Sequence, residues 1–305
     1  MINMRYNGID ITGDVSINRC WHDMYAGGKI DSVLLRMNDV RHLWDSWGPS
    51  PGDEIEVSFD AIRSGTMFLR EATPRNGIYE IMAESAPRSI HVKRRKSWQR
   101  VWLSQIGLEI AERNGLTFES YGVTDQMYSY IPQEDKSDFE FLTALAQAES
   151  CAFQIFDKRL VLFSEPFLEA LEPSETLTIG SDGNYRYTVA GDLYGSCAID
   201  GQHSGEFAAD NGSALVLRPE TFLRASSDEE AERFARGLLR AANKHHRSGW
   251  IRNPTILSGY AAGSVLNLRT ERAATWDGKV FLHHVRNDYV KRSGKLFFRK
   301  PLEGY

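Results

Sequence analysis

Apolar residues recur at every second position over Ile55, Val57 and Phe59, and at every third or fourth over Phe139, Leu142, Leu145 and Ala146. The first spacing is that of a half-buried strand and the second that of one helix face, so both rhythms are present. From residue 5 to 90 the strand rhythm dominates. Ile9, Ile11 and Val15 open it, and Val33, Leu34, Leu35 and Met37 follow the Gly27-Gly28 turn. Pro49 to Asp53 punctuates before Ile55, and the runs Thr66 to Arg70 and Ile78 to Ala83 flank Asn76-Gly77, a strong hairpin signal. Short strands at this spacing predict a small antiparallel barrel or sandwich.

The character changes near residue 93. Lys93 to Lys96 leads into Ser97 and an expected helix with Trp98, Val101, Trp102, Ile106 and Ile110 on one side, ending at Asn114-Gly115. Pro132 to Lys136 is read as a polar loop. Ser137 followed by Glu140 has capping-box spacing and starts a second helix, with Glu149 at its polar edge. Cys151, Phe153 and Ile155, then Leu160 to Phe163, make a hairpin around Asp157-Lys158-Arg159.

From Leu177 strands return, with Thr188 to Ala190 and Ser196 to Ile199 as short candidates and Gln202 to Ser213 as a polar loop. Ser227 and Glu230 repeat the capping-box spacing before the stripe Ala231, Phe234, Ala235, Leu238, Leu239 and Ala242. Lys244 and Arg247 fall at the end of that helix, where its dipole favours cations. Strands at Ser264 to Arg269, Lys279 to Asp288 and Lys295 to Lys300 close the chain, with Asp277-Gly278 as the turn between the first two. The expected class is α+β: two small antiparallel β-barrel-like domains around a helical α+β middle unit. The divisions are residues 1–92, 93–174 and 175–305, the last carrying one inserted helix. No residue-by-residue repeat between the two ends is visible.

At 305 residues the chain can build two or three cores. A net charge of -5 argues against a dedicated nucleic-acid binder. No apolar run is long enough to cross a bilayer, and the first ten residues lack a signal-peptide core, which fits production in a reducing cytosol. Cys20, Cys151 and Cys197 are odd in number, far apart and without metal-ligand spacing.

No nucleophile elbow, zinc-protease helix, phosphate loop, dinucleotide fingerprint or paired CxxC occurs. His245-His246 and His283-His284 invite a metal reading. Neighbours on a strand point to opposite faces, however, and neighbours on a helix sit about 100° apart, so surface or capping histidines are expected. Glu134, Asp135 and Asp138 cluster before a helix, which the helix dipole explains. Lys93 to Lys96 with Trp98 and Trp102 is read as a solvated linker beside two core tryptophans. Trp21, Trp44 and Trp47 are either core or interface anchors.

The stretch from Tyr130 to Glu165 carries a resemblance. Gln133, Ser137, Asp138, Phe141, Leu142, Leu145 and Ala146, followed by a short hairpin, resemble the baseplate hub proteins of contractile phage tails, the late-control D proteins. They are similar also to the corresponding part of type VI secretion spike proteins. Ser150 stands near where the family usually has Gly. The resemblance extends to Asp31–Asp39, to Pro51-Gly52-Asp53 and to the stretch Gly77 to Ser85. Near the end it takes in Ala235, Leu238, Gly259, Gly263, Val265, Leu268, Gly278 and Val285, with Asn287 where the family frequently has His.

What the resemblance implies is a homotrimeric structural hub joining a sixfold tail tube to a trimeric central spike, with other baseplate proteins as further partners. Its place would be the baseplate of a virion or tail-like particle, assembled in the host bacterial cytoplasm. It implies no catalytic residue, cofactor or metal. The rival readings are a peptidoglycan hydrolase using Glu134 and Asp138 as acid and base, and a nucleic-acid module using Lys93 to Lys96.

Overall fold

A computed structural model describes residues 1–180, 184–253 and 260–305. Gly259 lies outside the described residues. The first region contains β1 (Ile2–Tyr6), β2 (Ile9–Asp10), β3 (Ser16–Tyr25), β4 (Ser32–Asn38), α1 (Leu43–Trp47), β5 (Glu54–Phe59), β6 (Ile62–Arg63), β7 (Met67–Arg75) and β8 (Ile78–Glu84). In β5, Ile55, Val57 and Phe59 face the core as their alternation predicts, and Asn76-Gly77 joins β7 to β8 with Arg75 opposite Ile78. The pattern did not mark β3, because it buries polar His22 and Asp23 beside Cys20 and Met24. Nor did it mark α1, where Asp39 Oδ1 accepts the amides of Leu43 and Trp44.

The middle region departs from expectation at its start. Lys93 to Trp102 is not linker and helix but strand β9 (Lys93–Trp102), and the helix α2 (Leu103–Arg113) begins only afterwards. β10 (Thr117–Tyr121) follows. The expected loop Pro132 to Lys136 is part of β11 (Met127–Ser137), which pairs antiparallel with β9. Charges on β9 are met across the ladder and by α2: Arg95 by Asp135, and Lys96 by Glu109. A left-handed φ of 47° at Arg100 breaks the alternation, so Trp98 is buried against Phe141 while Trp102 is exposed.

Helix α3 (Asp138–Ala148) carries the predicted box, Ser137 Oγ accepting from the Glu140 amide and Glu140 accepting from the Ser137 amide. β12 (Cys151–Phe156) and β13 (Arg159–Ser164) form the predicted hairpin, with φ of 48° at Asp157 and 60° at Lys158. That turn lets Asp and Lys adopt the left-handed conformation that the right-handed twist of the strands requires. Helix α4 (Glu165–Ala170) completes the region.

The last region holds β14 (Thr176–Ile179), β15 (Asn184–Val189), β16 (Ser196–Ile199), β17 (Gly205–Ala208), β18 (Val216–Leu217), α5 (Asp228–Asn243), β19 (Arg247–Asn253), β20 (Val265–Thr270), β21 (Gly278–Asp288) and β22 (Ser293–Arg299). Several expectations change here. β17 lies inside the expected polar loop. Ser227 caps α5, but the Glu230 carboxylate accepts from Ser226 Oγ rather than closing the box. Lys244 reaches Glu165, and Arg247 begins β19. Asp277-Gly278 is not a tight turn: Asp277 ends a longer connection and accepts from the amide and hydroxyl of Thr270.

The class is α+β. The two β regions do not close as separate barrels but share one sheet of fourteen strands, each region curled over its own apolar core. Within that sheet the order β3-β4-β8-β7-β5-β1 is matched, strand for strand in chain order, by β15-β19-β22-β21-β20-β14. Every pairing is antiparallel in both sets except the last, β1–β5 being antiparallel and β14–β20 parallel.

The match descends to single residues. In β7 the ladder to β8 slips between Leu69 and Glu71, and in β21 the ladder to β22 slips between Leu282 and His284. The Gly52 amide donates to Leu69 O at 2.8 Å, and the Gly263 amide to Leu282 O at 2.7 Å. Both glycines are left-handed, with φ of 102° and 94°, a conformation that glycine adopts at little cost. The Leu69 and Leu282 amides return bonds to Asp53 O and Ser264 O.

Candidate assembly interface

Where the two β regions meet, β21 changes partners along one edge. Val280 and Phe281 pair with β20, while His284 to Asp288 pair with β3, from His284–Tyr25 to Asp288–Trp21. Backbone bonds bracket this junction, Ala26 N to His283 O at 3.0 Å and Tyr289 N to Cys20 O at 2.9 Å. On one face Arg286 donates to both oxygens of Asp23, His284 lies 2.6 Å from the same carboxylate, and Trp21 Nε1 donates to Asp288. Burial pushes the Asp23 carboxyl up, but the bonds from His284 and Arg286 outweigh it and hold the group below its ordinary range. On the other face Tyr289 bonds His22 and stacks on Phe59 in the first core.

The middle region is fastened to both ends. Asp31 accepts from the Tyr25 amide and from Gln154 Nε2, tying β4 and its preceding loop to β12. Burial raises the Asp31 carboxyl to about 7. Gly27 passes so close to Ala152 that a Cβ there would meet its methyl at 2.4 Å. On the far side Glu165 and Glu169 of α4 meet Arg240 of α5 and Arg299 of β22, with Arg240 2.6 Å from Glu169 and Lys244 3.0 Å from Glu165. These two carboxylates and both arginines are almost fully buried. Glu149, expected at a polar edge, has its carboxylate buried between Arg233 of α5 (2.8 Å) and the Tyr128 hydroxyl (2.7 Å).

The sequence candidates for chemistry fall in separate places. Asp138 is fully buried, accepting from Asn114 and Gln133 at 2.9 Å with Arg113 at 3.1 Å, whereas Glu134 is exposed on β11 beside Arg224. They therefore do not face each other across a cleft. Gln133 and Asp138, two polar residues of the resemblance, instead bond each other where β11 runs into α3, while the third, Ser137, caps that helix through Glu140. His245 is exposed just past the end of α5, as expected, and His283 is half-buried on β21. Their rings touch edge to face at 4.5 Å, and partial desolvation together with nearby cations lowers both imidazoles. His284 stacks between Tyr25 and Phe297. Asn287 is buried at the junction with β3. Trp44 is core, Trp47 packs on it, and Trp21 lies at the junction.

Sequence reasoning missed Asp23, Arg286, Asp31 and the Glu165–Arg299 cluster. Their only signal is charge inside apolar segments, such as Arg240 within the α5 stripe. Asp39, His42 and Asp45 bring ligand atoms within 4.8 Å, but Asp39 already serves α1. Among the described residues no helix is long and apolar enough to cross a membrane.

No protein-family model and no curated protein matches this chain in sequence. Solved structures do match its fold. The 43 kDa tail protein of prophage MuSo2 from Shewanella oneidensis is 10% identical with a TM-score of 0.74, over 97% of each chain. A tail protein from Neisseria meningitidis is 10% identical with a TM-score of 0.76, over 98% of this chain and 96% of that one. The Escherichia coli c3393 protein, a component of the type VI secretion system described as similar to the T4 tail proteins gp27 and gp5, is 10% identical with a TM-score of 0.61. It covers 99% of this chain and 78% of that one. The chain has the fold of phage tail proteins and of a type VI secretion component.

Proposed function

We propose that the chain is a non-enzymatic structural hub of a contractile tail or tail-like particle, three copies of which join a sixfold tail tube to a trimeric spike. The observation that carries this reading is the internal repeat. Two β units with one strand order, joined side by side in one sheet, give each chain two comparable positions, so three chains supply six. Such a ring meets sixfold symmetry on one face and threefold on the other without a bridging protein. The division into residues 1–92, 93–174 and 175–305 belongs to the same proposal, as does a place in the particle's baseplate beside its other proteins. Specific nucleic-acid binding is not part of it: Arg94, Arg95 and Lys96 each face a carboxylate.

Co-expression with the spike of the same particle tests the reading. A complex with three copies per spike trimer and a six-lobed end-on view in electron micrographs is expected. Elution of the two proteins apart, or a different copy number, would sink it.

A further inference from the structure

The repeat makes a demand that one chain cannot meet. At the internal junction the second half of β21 takes β3 as its partner, and β3 is the outermost strand of its unit in the matched order. The equivalent of β21 is β7, and the equivalent of β3 is β15. In β7 only Met67 and Phe68 pair with β5, so its second half has one free edge among the described residues, as does β15. Both halves of a second junction are therefore present, one on β15 at the end of the sheet and the other on the half-covered β7.

Resting on the hub reading above, we propose that β7 residues 71–75 pair antiparallel with β15 of a neighbouring copy, repeating the β21–β3 junction between chains. Equivalence through the two ladders sets the register. Leu69–Ala83 matches Leu282–Phe298, Val33–Ala83 matches Gly249–Phe298, and His22–Val33 matches Tyr187–Gly249. Thr73 then stands opposite Thr188 where Arg286 stands opposite Asp23, and Ala72 opposite Val189 where Val285 stands opposite Met24.

The backbone phases agree independently. The two-residue turn makes Arg75–Ile78 a bonded pair, so Ala72 and Pro74 direct their backbone groups away from β8. Ala190 N donates to His246 O, so Tyr187 and Val189 direct theirs away from β19. Pro74 leaves the ladder one donor short, a residue that sheets tolerate only at such edges. Val189 is 60% exposed where its equivalent, Met24, is buried. Arg75 falls opposite Arg186, with Glu80, 3.8 Å from Arg75, as the counter-charge. Because the two edges differ, the contact is head-to-tail rather than two-fold, and the hub reading has it close as a ring after three copies.

Thr73–Thr188 is an unbonded pair, whose Cα atoms would lie about 4.5 Å apart, within disulfide reach. The native cysteines are buried and unpaired. The chain carrying Thr73→Cys and Thr188→Cys, oxidised at concentrations where light scattering detects association, should give a reducible covalent trimer. Neither single variant should. Val189→Pro, which removes an outward donor but spares the β19 ladder, should weaken self-association about tenfold. Trimers that form without cross-linking, and that Val189→Pro leaves unchanged, overturn the edge pairing while the hub reading stands. Monomers throughout, with the spike present as well, overturn both.

Discussion

Arg286 donates to the two carboxylate oxygens of Asp23 at 2.7 and 3.1 Å, and so locks the last long strand of the chain to its first. The pair is 263 residues apart in sequence. Replacing Asp23 with Ala leaves Arg286 and His284 without their common acceptor beside a largely buried face. Hydrogen bonds to charged groups suggest a cost of about 2–3 kcal/mol in urea unfolding. A loss below about 0.5 kcal/mol, the range of ordinary surface changes, would mean the junction is held by backbone pairing alone.

Glu149→Ala is expected to destabilise by about 1–3 kcal/mol, because it leaves the buried Tyr128 hydroxyl and the half-buried Arg233 without their acceptor. Leu142→Ala and Leu145→Ala should each cost about 2–5 kcal/mol, since both side chains are fully buried. Glu134→Ala, at an exposed position of β11, is the control, with a change inside about 0.5 kcal/mol. Thermal melts that rank Glu149→Ala with Glu134→Ala would remove Glu149 from the core network.

Two carboxyls set opposite pH dependences. Asp31 has its folded pKa raised from 3.8 to about 7, so the folded state holds the extra proton and stability falls as pH rises through that window. The full displacement corresponds to roughly 4 kcal/mol at 1.4 kcal/mol per pH unit, an upper bound. Asp31→Asn should flatten the profile between about pH 4 and 7 and raise the melting temperature at pH 8. An unchanged profile would show that Asp31 is ionised in the folded protein.

For Glu165, burial raises the carboxyl but Lys244, Arg299 and Arg240 outweigh it, leaving it below its ordinary value of 4.5. Its stabilisation is therefore complete above that value and lost as pH falls below it. Glu165→Gln should reduce stability at pH 7 while losing less on acidification than the parent. Urea midpoints at pH 7 and pH 3 for both proteins check this, and parallel losses would contradict it.

Local signals in the sequence were dependable where one chain segment makes its own structure. The Ser137 cap, the Asp157-Lys158 turn and the alternation in β5 all form as their residues imply. Segments whose partners are distant were not legible. β9 reads as linker because its polar side chains are answered by Asp135 on β11 and Glu109 on α2. β3 is hidden because His22 and Asp23 are buried by partners from β21 and its following residue. The repeat was invisible because what recurs is backbone: Gly52 and Gly263 share a bond and a φ, while Glu71 stands for His284 and Ala83 for Phe298. The interface was illegible for the same reason, since strand edges are recognised through main-chain groups that every residue carries.

Sedimentation equilibrium of the purified chain over a wide concentration range tests the ring most directly. Head-to-tail edges that close after three copies predict a monomer–trimer equilibrium ending at about 104 kDa, three times the 34.6 kDa chain, with no dimer plateau. A stable two-fold dimer as the end point, or a monomer at every concentration, would contradict the account.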